Sequence, residues 1–279
     1  MSNTFDRIRA YYDQFDEWSR LDAPSGIIEK EEVLHIVSSY IPSGAHILDL
    51  GAGPGRYAIE FAKMGYSLTL ADLSERLIEL AKTEFTKASL MDAVEGFHVA
   101  NATDLDMFNS NRFDAVFCCG PFYHIVEAKS RIAAAREAIR VCKPDGVLII
   151  GFIPRFSGLA GLLFRAANRD DQVNSAVFKR LAEEGVFHNA GSEGFQEGYY
   201  PKVEEMELFW GDQGLSGIEV FSTRSFMHQN EQHLISIRDK DPELFEAIIN
   251  AHRRVATLPA FIEAGGHALL VGKKSQFRY

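Results

Sequence analysis

Tyr123 and His124 carry side chains that can move protons, and they closely follow the apolar run 113–118. Histidine titrates near neutral pH and suits general-base catalysis, in which it removes a proton from an attacking alcohol, phenol or protonated amine. His124 could instead hydrogen-bond the backbone and shape a pocket. Both interpretations stay open, and these two residues form the candidate catalytic pair.

A glycine-rich turn lies upstream of this pair. Residues 47–57 read Ile-Leu-Asp-Leu-Gly-Ala-Gly-Pro-Gly-Arg-Tyr, an apolar strand that runs into the turn. Gly51, Gly53 and Gly55 lack a Cβ, so they can adopt positive φ and let a nucleotide-like ligand approach the backbone. The helix-compatible residues 56–64 would point a helix N-terminus at the turn. The pattern therefore predicts a site for a nucleotide-like cofactor.

The spacing of the glycines separates two classes of cofactor. Dinucleotide-binding turns use G-x-G-x-x-G, with an acid about 20 residues later. Here the spacing is G-x-G-x-G, with Arg56 in the place of the third fingerprint glycine and Asp49 two residues before the first. The segment resembles the first motif of class I S-adenosylmethionine (SAM)-dependent methyltransferases, which is close to LDLGCGxG. An NAD(P)-dependent oxidoreductase is the rival that the spacing disfavours.

The resemblance implies further cofactor contacts. Asp72 ends the second predicted strand, where a carboxylate can accept both ribose hydroxyls, and Ser74 would cap the next helix. A third strand with its polar turn is predicted over 97–105, where Asn101 and Ala102 would meet the adenine. The predicted cofactor-binding residues are Asp49, Gly51, Ala52, Gly53, Gly55, Asp72, Leu73, Asn101, Ala102 and Gly120.

Three of the acids differ in how many interpretations they allow. Asp49 could hydrogen-bond backbone N–H groups of the glycine turn, lie near the amino-acid end of the cofactor, or do both. Asp104 would meet the cofactor or only cap the next helix. Asp72 has little packing purpose at a strand end, so it is the sharpest single prediction of a cofactor contact.

The resemblance also covers the middle of the chain and implies the fold. In the family, the loop after the fourth strand faces the transferred methyl group, and GPFYHI at 120–125 resembles the GPLYHL of a bacterial subgroup. Residues 143–150 resemble the LKPGGxL that leads into the fifth strand. With strands near 216–222 and 267–273, the last antiparallel, we expect an α/β fold. It would be a Rossmann-like, doubly wound, mostly parallel seven-stranded sheet with a helical cap.

Segments outside this core would cover the substrate, within a single domain spanning 1–279. Residues 1–40 are expected to form an amphipathic helix packed on the domain, a helical lid whose Tyr11 or Tyr12 closes over the cofactor, or both. Tyr12 is also a candidate substrate contact. Two insertions, 154–200 and 228–264, are interpreted as caps. The first would be helical over 156–181, followed by a glycine-rich mobile loop. His188 and His228 are candidate substrate contacts, although solvated loop histidines explain them as well.

Composition limits the partners. A net charge of −10 without a cluster of basic residues disfavours nucleic acid and suits a small, neutral or cationic substrate. We find no apolar run of 18 residues, no signal peptide and no convincing metal-ligand spacing. Three cysteines, two of them adjacent, suit burial in a cytoplasmic protein better than a disulfide framework. The leading hypothesis is small-molecule methylation; the rivals are RNA methylation and SAM binding without turnover. The oligomeric state and the acceptor atom are not indicated.

Overall fold

The computed structural model describes residues 4–168, 173–188 and 197–275. Its α-helices are α1 (Thr4–Tyr12), α2 (Pro24–Tyr40), α3 (Arg56–Lys63), α4 (Glu75–Lys87), α5 (Ala128–Val141), α6 (Arg155–Ala167), α7 (Ser175–Glu184), α8 (Val203–Gln213), α9 (Glu231–Lys240), α10 (Pro242–Val255) and α11 (Pro259–Ala264). Its strands are β1 (His46–Leu50), β2 (Ser67–Asp72), β3 (Val94–Val99), β4 (Phe113–Cys118), β5 (Cys142–Phe152), β6 (Val186–His188), β7 (Glu197–Tyr199), β8 (Leu215–Ser222) and β9 (Ala268–Lys274). Short 3-10 turns occupy 19–22, 91–93, 121–124 and 225–227.

Seven strands form one sheet in the order β3-β2-β1-β4-β5-β9-β8. The first five strands are parallel, while β9 runs antiparallel to both β5 and β8. Apolar side chains of the central strands, such as Leu48, Phe117 and Ile149, are fully or almost fully buried. Separate apolar clusters cover the two faces of the sheet. The predicted fold class is confirmed, and the strand order reverses between β1 and β4, where open α/β sheets bind ligands.

Two element boundaries differ from the predictions. β3 starts at Val94, earlier than the predicted 97, and the polar turn predicted after it is present, with the Asn101 side chain accepting from the backbone N–H of Thr103 at 3.0 Å. The stretch before the fifth strand belongs to β5 itself. Its pairing with β4 is irregular there, and Asp145 adopts a positive φ of 61°.

The caps contain more regular structure than the sequence suggested. The predicted helical stretch 156–181 divides into α6 and α7, and the second insertion holds α9, α10 and α11. Where a mobile loop was expected, β6 and β7 pair as an antiparallel hairpin. Of the four glycines of that loop, Gly185 and Gly198 belong to this part of the structure, whereas Gly191 and Gly194 lie outside the described residues.

Candidate cofactor and active site

A cavity of about 1010 Å³, counted with its open mouth, lies at the carboxyl ends of β1, β2 and β4. Open α/β sheets bind small molecules and cofactors at the carboxyl ends of their strands, where this cavity lies. The glycine turn forms one wall, and the residues after β4 form another. Phe5, Ile8 and Tyr12 of α1 also line it, so the N-terminal helix lies against the same space. The cavity therefore brings together most of the residues predicted for the site.

The glycine turn has the conformation that its sequence predicts. Gly51, Gly53 and Gly55 adopt φ values of 77°, 55° and 82°. A Cβ on Gly51 would lie 2.4 Å from Cδ of Pro121, so only glycine allows the two loops to meet. Gly55 does not line the cavity but packs against the side chains of α4 and β2. Its glycine serves helix packing rather than ligand approach.

Asp72 organises the turn as well as facing the cavity. Its carboxylate accepts hydrogen bonds from the backbone N–H groups of Gly53 and Ser74, both at 2.8 Å. The expectation that Asp72 has little packing purpose was therefore wrong. Ser74 caps α4 as predicted, accepting from Leu77 N at 3.2 Å. Burial raises the pKa of Asp72 to about 6, against the opposing effect of these backbone hydrogen bonds.

Asp49 lies beside Asp72, but its carboxyl group differs in hydrogen bonding and in pKa. Its buried Oδ2 has no hydrogen-bond partner among the described residues, so this oxygen does not bond the glycine turn. Burial, and secondarily the charge of Asp72, raise the pKa of Asp49 to about 8. A buried carboxylate needs a partner, and two adjacent ones favour a cationic ligand that carries hydroxyl donors. SAM carries a sulfonium, an ammonium group and ribose hydroxyls, so it offers both the positive charge and the hydrogen-bond donors that these two carboxylates favour.

The other residues predicted to contact the cofactor differ in whether they line the cavity. Ala52, Leu73, Asn101, Ala102 and Gly120 all line the cavity. Asp104 does not; it is exposed and its side chain accepts from the backbone N–H of Asp106 at 3.3 Å. Residues 105–112 form no helix, so the expected helix cap is not made and the Asp104 side chain only hydrogen-bonds a local turn.

The candidate catalytic pair lines the cavity from the loop after β4. His124 is buried, and its Nε2 lies 2.7 Å from the hydroxyl of Tyr12 on α1. Burial lowers the pKa of His124 to about 3, although a hydrogen bond with the backbone of Glu197 opposes this. Burial raises the pKa of Tyr123, whose hydroxyl donates to the carbonyl of Cys119 at 3.4 Å. A neutral, weakly basic His124 is poorly suited to hold a proton at neutral pH.

Further cavity residues were missed by sequence reasoning. Arg20 donates through Nε to Glu17 at 2.5 Å, and Tyr57 donates to the buried Glu29 at 3.2 Å. Burial would raise the pKa of Glu29, but His267 and the nearby arginines lower it below its ordinary range. The three-residue spacing of Glu17 and Arg20 was a signal of their pairing. Nothing in sequence placed them beside the glycine turn.

His188 and His228 do not line the cavity. Each lies near a carboxylate of its own segment, with Nδ1 3.4 Å from Glu197 and from Glu231, respectively. The hairpin and the segment after β8 turn these rings toward local partners, and their roles as substrate contacts stay predictions. The cysteines are free, as expected, with Cys118 buried on β4.

The described residues also bear on metal binding and on membrane spanning. Residues 4–168, 173–188 and 197–275 contain no group of three or more metal-ligating side chains. Within the same ranges, no helix is both long and apolar enough to cross a membrane.

Asp49 gives a stability prediction for the ligand-free protein. Its folded pKa of about 8 exceeds the ordinary value of 3.8, so the unfolded chain loses this proton first as the pH rises. The contribution of Asp49 to stability is therefore full below that ordinary value and is lost as the pH rises through about 8. Over this pH range, we expect the melting temperature of Asp49→Asn to fall less than that of the wild type. The melting temperature is measured by fluorimetry.

Asp114→Asn is the matched control for that measurement. Despite burial, hydrogen bonds from Lys143 at 2.6 Å and from the backbone of His46 at 2.9 Å lower the pKa of Asp114. Its contribution is lost as the pH falls, which is the opposite sign. Equal pH profiles for the wild type and Asp49→Asn would contradict the assignment of the buried carboxyl.

Comparison with known proteins identifies the domain. Residues 47–146 match a family described as a methyltransferase domain. A Xanthomonas axonopodis ubiquinone biosynthesis O-methyltransferase is 30% identical over 148 residues, which cover 53% of this chain and 56% of that protein. A Leptospira interrogans demethylmenaquinone methyltransferase is 28% identical over 147 residues, covering 52% and 57%. The chain thus spans just over half the length of these curated relatives.

Solved structures share the architecture. A SAM-dependent methyltransferase from Methanosarcina mazei superposes with a TM-score of 0.58 at 19% identity, covering 86% of this chain and 97% of that one. A Pyrococcus horikoshii protein gives a TM-score of 0.63 at 18% identity, covering 95% and 99%. Residues 47–146 thus resemble a methyltransferase domain, and the chain shares the fold of these solved structures. The matched family and fold indicate S-adenosylmethionine as the cofactor.

Proposed function

We propose that this protein methylates a small-molecule acceptor. The observation that supports this most is the mixed lining of one cavity. The carboxylates of Asp49 and Asp72 line it and would hold the cofactor, and Tyr57 and Tyr123 line it and would face the acceptor. The Glu17–Arg20 pair also lines it, with Glu17 close to the glycine turn. SAM supplies an activated methyl group on a positively charged sulfur.

In this proposal the N-terminal segment acts as the lid. Arg76 of α4 donates to the backbone carbonyls of Tyr12 and Phe15 at 2.7 and 3.0 Å, and Ser74 donates to Asp13 at 2.6 Å. These bonds hold the segment after α1 against the cofactor end. A covered cavity excludes water and orients the reactants, which supplies much of the rate in displacement reactions.

His124 is proposed as a positioning residue rather than a base. Since the hydrogen bond with Glu197 favours the protonated ring, the ring donates there, and Nε2 is left to accept from the hydroxyl of Tyr12. His124 would then fix the lid above the loop after β4. Tyr123, with its ring at the cavity wall, would contact the acceptor.

The names of the curated relatives support a small acceptor, since two of them act in quinone pathways by their printed names. The net charge of −10 weakens the RNA alternative. Free cysteines, and in particular the buried Cys118, support the expected cytoplasmic location.

The test is transfer of labelled methyl from SAM into a cell extract that is then separated into small-molecule, RNA and protein fractions. We expect label in the small-molecule fraction, and none when Asp72→Ala replaces the wild type. Label only in RNA would contradict the proposal. Binding of S-adenosylhomocysteine without label in any fraction would favour a SAM-binding regulator.

A further inference from the structure

A second cavity lies on the other side of the loop that carries the candidate catalytic pair. It measures about 390 Å³ with its mouth, and Tyr123 lines both cavities. We propose that this cavity receives an apolar substituent of the methyl acceptor, a short alkyl chain or an aromatic ring. The inference rests on the proposed function, because it assigns a chemical property to the acceptor of that site.

The walls of the second cavity are mainly apolar. They are formed by Phe122, Tyr123, Phe152, Tyr199, Pro201, Met206 and Phe209, with Arg131 and Glu205 as the charged residues. Apolar surface of this kind favours burial of hydrocarbon from a ligand. Met206 adds a flexible thioether, which adapts to ligands of different shape.

The two charged residues are already engaged by the protein. Arg131 donates to the carbonyl of Ile125 at 3.0 Å, and its guanidinium lies 3.6 Å from the ring centre of Tyr199. Glu205 accepts from Arg155 at 2.6 Å. The contacts of Arg131 join α5 to the loop after β4 and to the hairpin, and the contact of Glu205 joins α8 to α6. Because their charges are used structurally, the cavity offers a ligand mostly hydrocarbon and ring faces.

Tyr123 is the shared wall and therefore the passage between the cavities. Its hydroxyl donates to the carbonyl oxygen of Cys119 at 3.4 Å. Its ring centre lies 4.7 Å from that of His124 and 6.0 Å from that of His267. Rotation of the ring to another staggered side-chain conformation would join the second cavity to the acceptor end.

The experiment measures binding of 4-alkylphenols, from 4-methylphenol to 4-hexylphenol, to the full chain saturated with S-adenosylhomocysteine. We expect the calorimetric affinity to rise about fourfold with each added methylene until the cavity is full. Protein labelled with ¹³C at the methionine methyls, with Met206→Leu for assignment, should show the Met206 signal moving only with the longer chains.

Phe209→Trp and Met206→Trp place extra volume in the second cavity, and both should abolish the dependence on chain length while 4-methylphenol binds as before. Two variants are used because Met206 is buried in the core, whereas Phe209 is half-buried. Met107→Trp is the control, since Met107 is 50% exposed and lines neither cavity.

Affinity independent of chain length, absent binding of every phenol, or an unchanged length dependence in both filled variants would overturn the inference. Methyl transfer is measured separately on the same samples. Length-dependent binding without transfer would count against the proposed function and leave the second cavity assigned. Methyl transfer without length-dependent binding would support the proposed function and overturn the assignment of the second cavity.

Discussion

Asp72→Ala is expected to weaken binding of S-adenosylhomocysteine by about 10- to 100-fold, measured by calorimetry. The carboxylate would lose its charge-assisted hydrogen bonds to the ribose, which are worth about 1–3 kcal/mol. It would also lose the two bonds, both at 2.8 Å, by which Asp72 holds the N–H groups of Gly53 and Ser74. The glycine turn should therefore become less ordered as the ligand contact disappears.

Asp104→Ala is the control for this change. Asp104 is an exposed acid that follows the third strand and does not line the cavity. Its removal should leave the affinity within about twofold, since it removes no contact to the ligand. An unchanged affinity in a folded Asp72→Ala protein would remove Asp72 from the cofactor site.

Tyr12→Phe and His124→Ala are expected to slow methyl transfer by a similar factor, about fivefold, in single-turnover measurements. Each change breaks the same 2.7 Å hydrogen bond between α1 and the loop after β4, and a net contribution of about 1 kcal/mol per bond sets the scale. The double variant should be no slower than the singles, because coupled residues are not additive. Release of S-adenosylhomocysteine should become faster to the same extent.

The base interpretation of His124 predicts a different pattern. His124→Ala alone would then slow transfer, with release of S-adenosylhomocysteine unchanged and Tyr12→Phe nearly as active as the wild type. Tyr40→Phe controls for the loss of a tyrosine hydroxyl, since Tyr40 donates to Glu219 at 2.9 Å far from the cavity residues. Independent effects of Tyr12 and His124 would contradict the proposal that their hydrogen bond holds α1 against the loop after β4.

The fold could be predicted from sequence because its signals are local. Positive φ at Gly51 follows from the turn, and a buried run such as 147–150 follows from its apolar composition. Boundaries were weaker, as at β3, which starts at Val94, earlier than the predicted 97. Where a strand starts depends on its pairing with the neighbouring strand, which sequence spacing does not show.

The cofactor end of the site was also predictable, whereas the acceptor end was not. Asp72 follows its strand directly, so its place at the sheet edge follows from topology. Glu17 and Arg20 reach the cavity from a segment whose path depends on long-range contacts, including the 2.5 Å ion pair between Arg56 and Asp22. His188 and His228 lie away from the cavity for a similar reason, because hairpin and helix packing decide where they point.

The residues that match the methyltransferase family and the segments proposed to cover the acceptor lie in separate stretches of sequence. The family match ends at residue 146, while the lid, the hairpin and the helices after β8 all lie outside it. Because β5 pairs with β9, the intervening chain leaves and returns to neighbouring strands of one rigid sheet. Insertions and exchanges between those strands can accumulate without disturbing the glycine turn. Such an arrangement lets new acceptor preferences evolve on an inherited cofactor half, and it marks the junctions at which chimeras with relatives should be made.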